Sequence, residues 1–169
     1  GRTVTLGNFW MGIYEVTQAE YESVMKNQTV EIAEEEYVLN SNPSKNTEQN
    51  LATDEIQENR PVENISWYDA VYYCNALSNK TGKKCAYKIE IEEINDRTGS
   101  ITAATVKLDI TAIILTYNEE LHIRRCLDRI ASVVSNVVIV DCYSTDRTLD
   151  IAKEYSNVTI LQNKWINYA

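Results

Sequence analysis

The sequence predicts a chain in two parts, an α+β part followed by an α/β part. Three observations carry this expectation. Residues 110–115 form a continuous apolar run rich in β-branched side chains, the pattern of a strand buried on both faces of a parallel sheet. Two more short apolar runs follow, each separated from the last by a segment of helical period. Before residue 109 the pattern differs, with capped helices, a long polar stretch and an alternating hairpin. The charge changes at the same place: residues 1–109 carry 10 Lys/Arg against 18 Asp/Glu, and residues 110–169 carry 6 against 7.

Composition narrows the function classes. The chain has 169 residues, 44% hydrophobic and 24% charged, with a net charge of −9, which is the balance of a soluble globular protein. No run approaches the ~20 apolar residues that cross a bilayer, and no charged-then-apolar leader precedes the first strand-like segment. A start at Gly1 reads as a fragment or a processed product. An acidic chain repels phosphate backbones, so nonspecific nucleic-acid binding is not expected. A small phosphorylated ligand stays compatible, because backbone N–H groups hold phosphate without net positive charge. Cys74, Cys85, Cys126 and Cys142 lack finger spacing and read as reduced core residues. With His122 the single histidine, a His-rich metal site is not expected. Asn-x-Ser/Thr triplets at Asn27, Asn64, Asn79 and Asn157 matter only in a glycosylating, secretory setting.

In the first part, Arg2–Phe9 and a stretch around Met11–Val16 read as short strands. Thr17-Gln-Ala-Glu20 is a capping box that opens a helix through Met25, with Tyr21, Val24 and Met25 inward. Lys26–Arg60 is polar, and its acidic cluster Glu31–Glu36 reads as a solvated loop or exposed helix without calcium-loop spacing. Ser66-Trp-Tyr-Asp69 opens a second helix through Leu77, with Trp67, Val71, Cys74 and Leu77 on one stripe and Gly82 to end it. Tyr87–Glu93 alternates apolar and charged residues as a half-exposed strand. A turn at Asp96–Gly99 leads to Ser100–Leu108, its hairpin partner.

In the second part, strand Ile110–Leu115 is followed by a helix over Glu119–Ile130, with Ile123, Cys126, Leu127 and Ile130 at helical spacing. Glu119 and Glu120 fall in its first turn, where the helix dipole favours acids. Strand Asn136–Val140 ends at Asp141, a helix runs from Ser144–Thr148 to Tyr155, and Val158–Leu161 is the third strand. The series is a Rossmann-like βαβαβ unit, whose ligands bind outside the carboxyl ends of the strands. Thr116–Glu119 and Asp141–Asp146 occupy that edge. A carboxylate such as Asp141 there can accept from a base N–H or ribose hydroxyls. Amides near Ser144–Asp146 can approach a phosphate, or Ser144 and Asp146 can simply cap the helix.

Residues 1–107 carry a resemblance spread in order along the chain: Phe9-Trp-Met-Gly, Tyr14-Glu-Val-Thr-Gln18, Glu20-Tyr-Glu with Val24-Met25, Asn42-Pro-Ser44, Arg60-Pro-Val-Glu63, and Ser66-Trp-Tyr-Asp-Ala-Val71 with Cys74-Asn75. Together they resemble the N-terminal half of the formylglycine-generating enzyme, or sulfatase-modifying factor, family. That implies a loop-rich, C-type-lectin-related fold. The family's reactive cysteine pair and calcium sites lie in its second half. The Arg-Leu-Pro-Thr-Glu-Ala-Glu-Trp-Glu segment expected just after residue 108 is also missing. Cys74 and Cys85 therefore carry no catalytic assignment, and formylglycine generation by this chain is not expected.

Residues 109–169 resemble the start of family 2 glycosyltransferases of GT-A fold. The resemblance rests on Thr116-Tyr-Asn-Glu-Glu120, Val140-Asp-Cys-Tyr-Ser-Thr-Asp-Arg-Thr148, Ala152-Lys-Glu-Tyr and Lys164-Trp-Ile-Asn-Tyr-Ala169, the last two similar to the lipopolysaccharide-core branch. It implies a nucleotide-sugar donor, with UDP-linked donors among the candidates, and a nucleoside pocket lined by Thr116, Tyr117, Glu119 and Asp141. For the complete family domain it also implies a divalent metal, Mg or Mn, held by an Asp-x-Asp motif. No such motif occurs in 1–169, so no cofactor is expected on this chain and no catalytic residue is assigned. A cytoplasmic setting follows for this part. The whole reads as a glycosyltransferase-like unit, incomplete and inactive in this form, with two competing readings: a ligand- or protein-binding module, or a nonfunctional fusion of two gene fragments.

No Pro/Gly/Ser linker divides the parts. Ile101-Thr-Ala103 recurs as Ile110-Thr-Ala112 across the change in pattern, as expected at a seam of two joined fragments or by chance between two strands. Strand 110–115 is expected to expose an apolar edge, which leads to docking of Ser100–Leu108 against it, self-association or poor solubility.

Overall fold

The computed structural model describes residues 12–45 and 51–164. The expected strand Arg2–Phe9 lies outside them. Of the stretch around Met11–Val16, residues 12–16 form no strand; Thr17 alone bridges to Pro61. Helix α1, Gln18–Met25, starts where the capping box places it. The Thr17 hydroxyl accepts from the Glu20 amide, and Glu20 reaches back to the Thr17 amide. Tyr21, Val24 and Met25 are its buried side.

The acidic cluster is neither loop nor exposed helix. It is a hairpin of β1, Thr29–Ile32, and β2, Glu35–Val38, with Ala33 and Glu34 at positive φ in a two-residue turn. Among the described residues no group of three His, Cys, Asp or Glu is placed to hold a metal ion. A short 3-10 turn, Gln57–Asn59, leads to helix α2, Trp67–Lys80, which opens on the Ser66/Asp69 capping box. The predicted buried stripe needs correction. Trp67, Cys74 and Leu77 face outward, whereas Asp69, Val71, Tyr73 and Ala76 are buried. The inward face is chosen by Tyr73, which stacks on Tyr21 of α1 at 5.2 Å between ring centres, and by Asp69, which reaches the hairpin behind it. Gly82, at φ +68°, ends the helix as expected: its amide and that of Lys83 close on the carbonyls of Asn79 and Ser78.

The second sheet has the order β3-β4-β5-β6. Strand β3 is Tyr87–Asn95 and β4 is Ser100–Thr116, joined at the Asp96–Gly99 turn. The two strands expected on either side of residue 109 are thus one strand. Ser100–Leu108 does not dock against the edge of 110–115; it continues into it. The first half of β4 pairs antiparallel with β3, and the second half pairs parallel with β5, Val134–Asp141. Strand β6, Val158–Gln162, lies parallel on the far side of β5.

Helices α3, Ile123–Ile130, and α4, Thr148–Ala152, are shorter than expected. Residues 119–122 form a turn ahead of α3, so Glu119 and Glu120 stand before the helix rather than in it. Cys126 points to solvent, while Ile123 and Leu127 are buried. None of the four cysteines is a fully buried core residue. Both helices cover one face of the sheet, packing on Ala112, Ile114, Val137, Ile139, Val158 and Ile160. The register sets Ile113, Leu115, Val138, Val140 and Leu161 on the opposite face, where Ile113, Leu115 and Leu161 are exposed. The expectation of a strand buried on both faces holds for one face only. A second core, of Tyr21, Val24, Met25, Leu39, Tyr73, Ala76, Ile94 and Ile101, closes the first unit. No described helix is long and apolar enough to cross a membrane.

Candidate functional site at the strand ends

Thr116 closes β4 and Asp141 closes β5, and they are register partners on the helix-covered face. The Thr116 hydroxyl donates to Asp141 Oδ1 at 2.9 Å. The Ser144 hydroxyl donates to the same oxygen at 2.5 Å, and the Ser144 amide to Oδ2 at 2.8 Å. The Gln162 side chain, at the end of β6, also donates. A carboxylate offers about four lone-pair sites, and these donors fill them. Asp141 is 0% exposed. Burial alone would raise its pKa, but the bonds from Ser144, Thr116 and Gln162 outweigh that and hold it below the ordinary carboxylate value. The acid at this edge has its partners within the protein.

From this junction the two loops are laced together. The Asn118 amide donates to Ser144 Oγ at 2.8 Å, and the Thr145 amide to Asn118 Oδ1 at 2.8 Å. The Glu119 amide donates to Thr148 Oγ1 at 2.7 Å and the Glu120 amide to Asp146 Oδ2 at 3.0 Å. Glu120 in turn accepts from the Arg147 amide. Asp146 also accepts from the Thr148 amide and hydroxyl, which satisfies a free N–H at the start of α4. Burial pushes the Asp146 carboxyl up, and these bonds more than offset it, leaving it lowered.

Tyr117 stands apart from this lacing. It is 62% exposed and borders an open cleft of about 470 Å³ with Leu115, Thr116, Cys142 and Lys164. The structure thus brings Thr116, Asp141 and Ser144 into one cluster and ties Glu119 and Asp146 through Thr148. Tyr117 is left facing the cleft. Sequence reasoning missed Asn118, Glu120, Thr148, Cys142 and Lys164. The signal for Asn118 was its residue type: it sits at φ +54° between two loops, a left-handed conformation that Asn tolerates. The others carry no local signal, since each acts across the gap between two strands.

The donor set does not fit a divalent metal. Asp141 has no oxygen to spare, Asp146 is spent on three donors, and no third ligand stands beside them among the described residues.

The architecture is a mixed one: a helix-and-hairpin unit joined through β4 to a parallel α/β unit with a laced strand-end site. Residues 1–110 match the family model of the sulfatase-modifying factor enzyme 1-like domain, and the chain belongs to that family. Residues 111–167 match the family model of glycosyl transferase family 2. A chaperone protein LppX of Paenibacillus barcinonensis is 37% identical over 91 residues, which is 54% of this chain and 24% of that protein. The glycosyltransferase SunS of Bacillus phage SPbeta is 38% identical over 72 residues, 40% of this chain and 17% of that one. An uncharacterized glycosyltransferase of Rickettsia felis is 36% identical over 59 residues, 35% of this chain and 20% of that one. The chain spans about a quarter or less of these relatives.

Proposed function

We infer that the strand-end site receives the nucleoside of a nucleotide-sugar donor, UDP-linked, for a sugar transfer in cell-envelope glycan or lipopolysaccharide synthesis on the cytoplasmic side. One observation supports this best: two loops locked to each other by Asp141 leave an exposed Tyr117 on an open cleft beside Thr116 and Cys142. An exposed aromatic face over a cleft at parallel strand ends suits a stacked base. In this reading Tyr117 contacts the base, Thr116 and Glu119 flank it, and Asp141 positions the loops. Among the described residues no ligand set stands ready for the divalent metal of the complete domain, and in this reading the chain holds the donor without transferring its sugar.

Titrating the full chain with UDP, followed by calorimetry, tests this. The expected result is saturable binding that weakens at least tenfold in Tyr117→Ala, with no sugar released from UDP-glucose. Absence of saturable binding, or equal binding by Tyr117→Ala, overturns it. A second reading, a ligand-binding module in the first unit, is favoured by a polar cavity there.

A further inference from the structure

A cavity of about 440 Å³ opens in the first unit between α1, the start of α2, the loop after β2 and the β3–β4 turn. That volume lies within the range of small-molecule sites. Its floor is Tyr21, Asp69 and Ser100, and its rim includes Asn40, Lys45, Asn64, Asn95 and Arg97. The floor is built. Asp69 is buried and accepts from the Ser66 amide at 3.0 Å, the Ile101 amide at 2.9 Å and the Ser100 hydroxyl at 2.5 Å. Its oxygens are taken. The mouth is held by Gly99, whose φ of +64° and close approach to the Val38 carbonyl admit no side chain, and the Asn40 amide donates to the Gly99 carbonyl.

Tyr21 is the group without an explanation. It is 2% exposed and lines the cavity, and its surroundings act on it through burial and the neighbouring Asp69 and Tyr73 rather than through a side-chain hydrogen bond. That hydroxyl is not sealed in the core but open to the cavity, where an acceptor on a ligand can reach it. Burial, with the charge of Asp69 beside it, raises its pKa, so it stays a donor at any physiological pH.

The rim is donor-rich for a stated reason. Asn40 spends its side-chain oxygen on the Asn42 amide, and Asn95 spends its own on the amides of Arg97 and Thr98. Each therefore has its NH2 group as the free end. Arg97 and Lys45 make no ion pair among the described residues. Asn64 is the exception: its NH2 donates to the Pro43 carbonyl, which leaves its amide oxygen as an acceptor.

We propose that this cavity binds a hydroxylated monocarboxylate of sugar-acid size, its carboxylate met by Tyr21, Arg97 and the asparagine amides and a hydroxyl by Asn64. Donors and two cations call for a negatively charged acceptor. The Asp69 charge in the floor limits that charge to one, since a dianion brought near it is repelled. The Asn64 oxygen calls for a hydroxyl on the same molecule. The site is separate from the strand ends, and its success or failure is independent of nucleotide binding.

The test uses the full chain and D-glucuronate, with D-glucose and inorganic sulfate as comparison probes, read by calorimetry and by amide chemical shifts. Glucuronate is expected to bind saturably, with shifts at Ser100 and Arg97, and at least tenfold more tightly than glucose or sulfate. Tyr21→Phe keeps the ring stacked on Tyr73 and removes only the hydroxyl. It is expected to retain the melting temperature and to bind glucuronate at least threefold more weakly; Arg97→Gln is expected to lose tenfold or more. Equal binding of glucose or sulfate overturns the proposal. So does the absence of glucuronate binding, or full affinity in both variants.

Discussion

At the scale of single residues, Asp141 is the most consequential side chain. Its folded pKa is depressed, so its contribution to stability is present above the unfolded value, about 4, and is lost as pH falls through the folded one. Asp146, also lowered, acts in the same direction. Acid is therefore expected to loosen the strand-end loops first. The protection of the Asn118, Thr145 and Glu120 amides, taken relative to the intrinsic exchange rate at each pH, should fall as pH drops below about 4 and stay flat between neutrality and about 5. Asp141→Asn places an NH2 group against donors that need an acceptor, and is expected to cost about 2 kcal/mol in urea unfolding. Unchanged stability in that variant would show that the cluster does not hold the loops. Sequence placed Asp141 at a strand end and expected a ligand there, a base N–H or ribose hydroxyls, as its partner. That its partners are Thr116, Ser144 and Gln162, on three segments, is a tertiary fact.

At the scale of elements, the short helices depend on what they cover. Leu127 is fully buried under α3, and Leu127→Ala is expected to destabilise by about 3 kcal/mol, read as a shift in the denaturation midpoint at constant slope. A bidentate pair from Arg124 to Glu154, at 2.8 and 2.6 Å, ties α3 to the turn after α4 on the exposed side. Exposed pairs of this kind contribute little, so Arg124→Gln is expected to shift the same midpoint barely at all. The capping boxes of α1 and α2 were legible because capping is chemistry within four residues. The buried face of α2 was not. Its periodicity admits either stripe, and the stack of Tyr73 on Tyr21 and the reach of Asp69 to Ile101 select one.

At the scale of the whole molecule, β4 is the joint. It is shared by both units, antiparallel on one side and parallel on the other. The repeated Ile-Thr-Ala shows what this does to equal sequences: Ile101 is 0% exposed in the first core, and Ile110 is 54% exposed past the end of the β3 ladder. Beyond Leu108 the edge of β4 has no β3 partner, and the apolar face carrying Ile113, Leu115 and Leu161 has no cover among the described residues. Exposed apolar sheet of this kind promotes association. Sedimentation velocity is expected to show a concentration-dependent rise in mass that falls in the Ile113→Thr, Leu115→Thr double variant. A wild-type monomer at all concentrations would remove self-association from the properties of this face.

Local chemistry by itself determined where α1 and α2 begin, how α2 ends, the hairpin turn after β3, the parallel order of β4, β5 and β6, and the position of Thr116 and Asp141 at strand ends. Each of these rests on contacts within a few residues or on the period of apolar side chains. The tertiary structure alone decided that 100–108 and 110–115 are one strand and that only one face of the parallel sheet is covered. It also decided which side of α2 is buried and which donors fill Asp141. Pairing partners and covering layers come from segments distant in the chain, and no local pattern encodes which distant segment arrives.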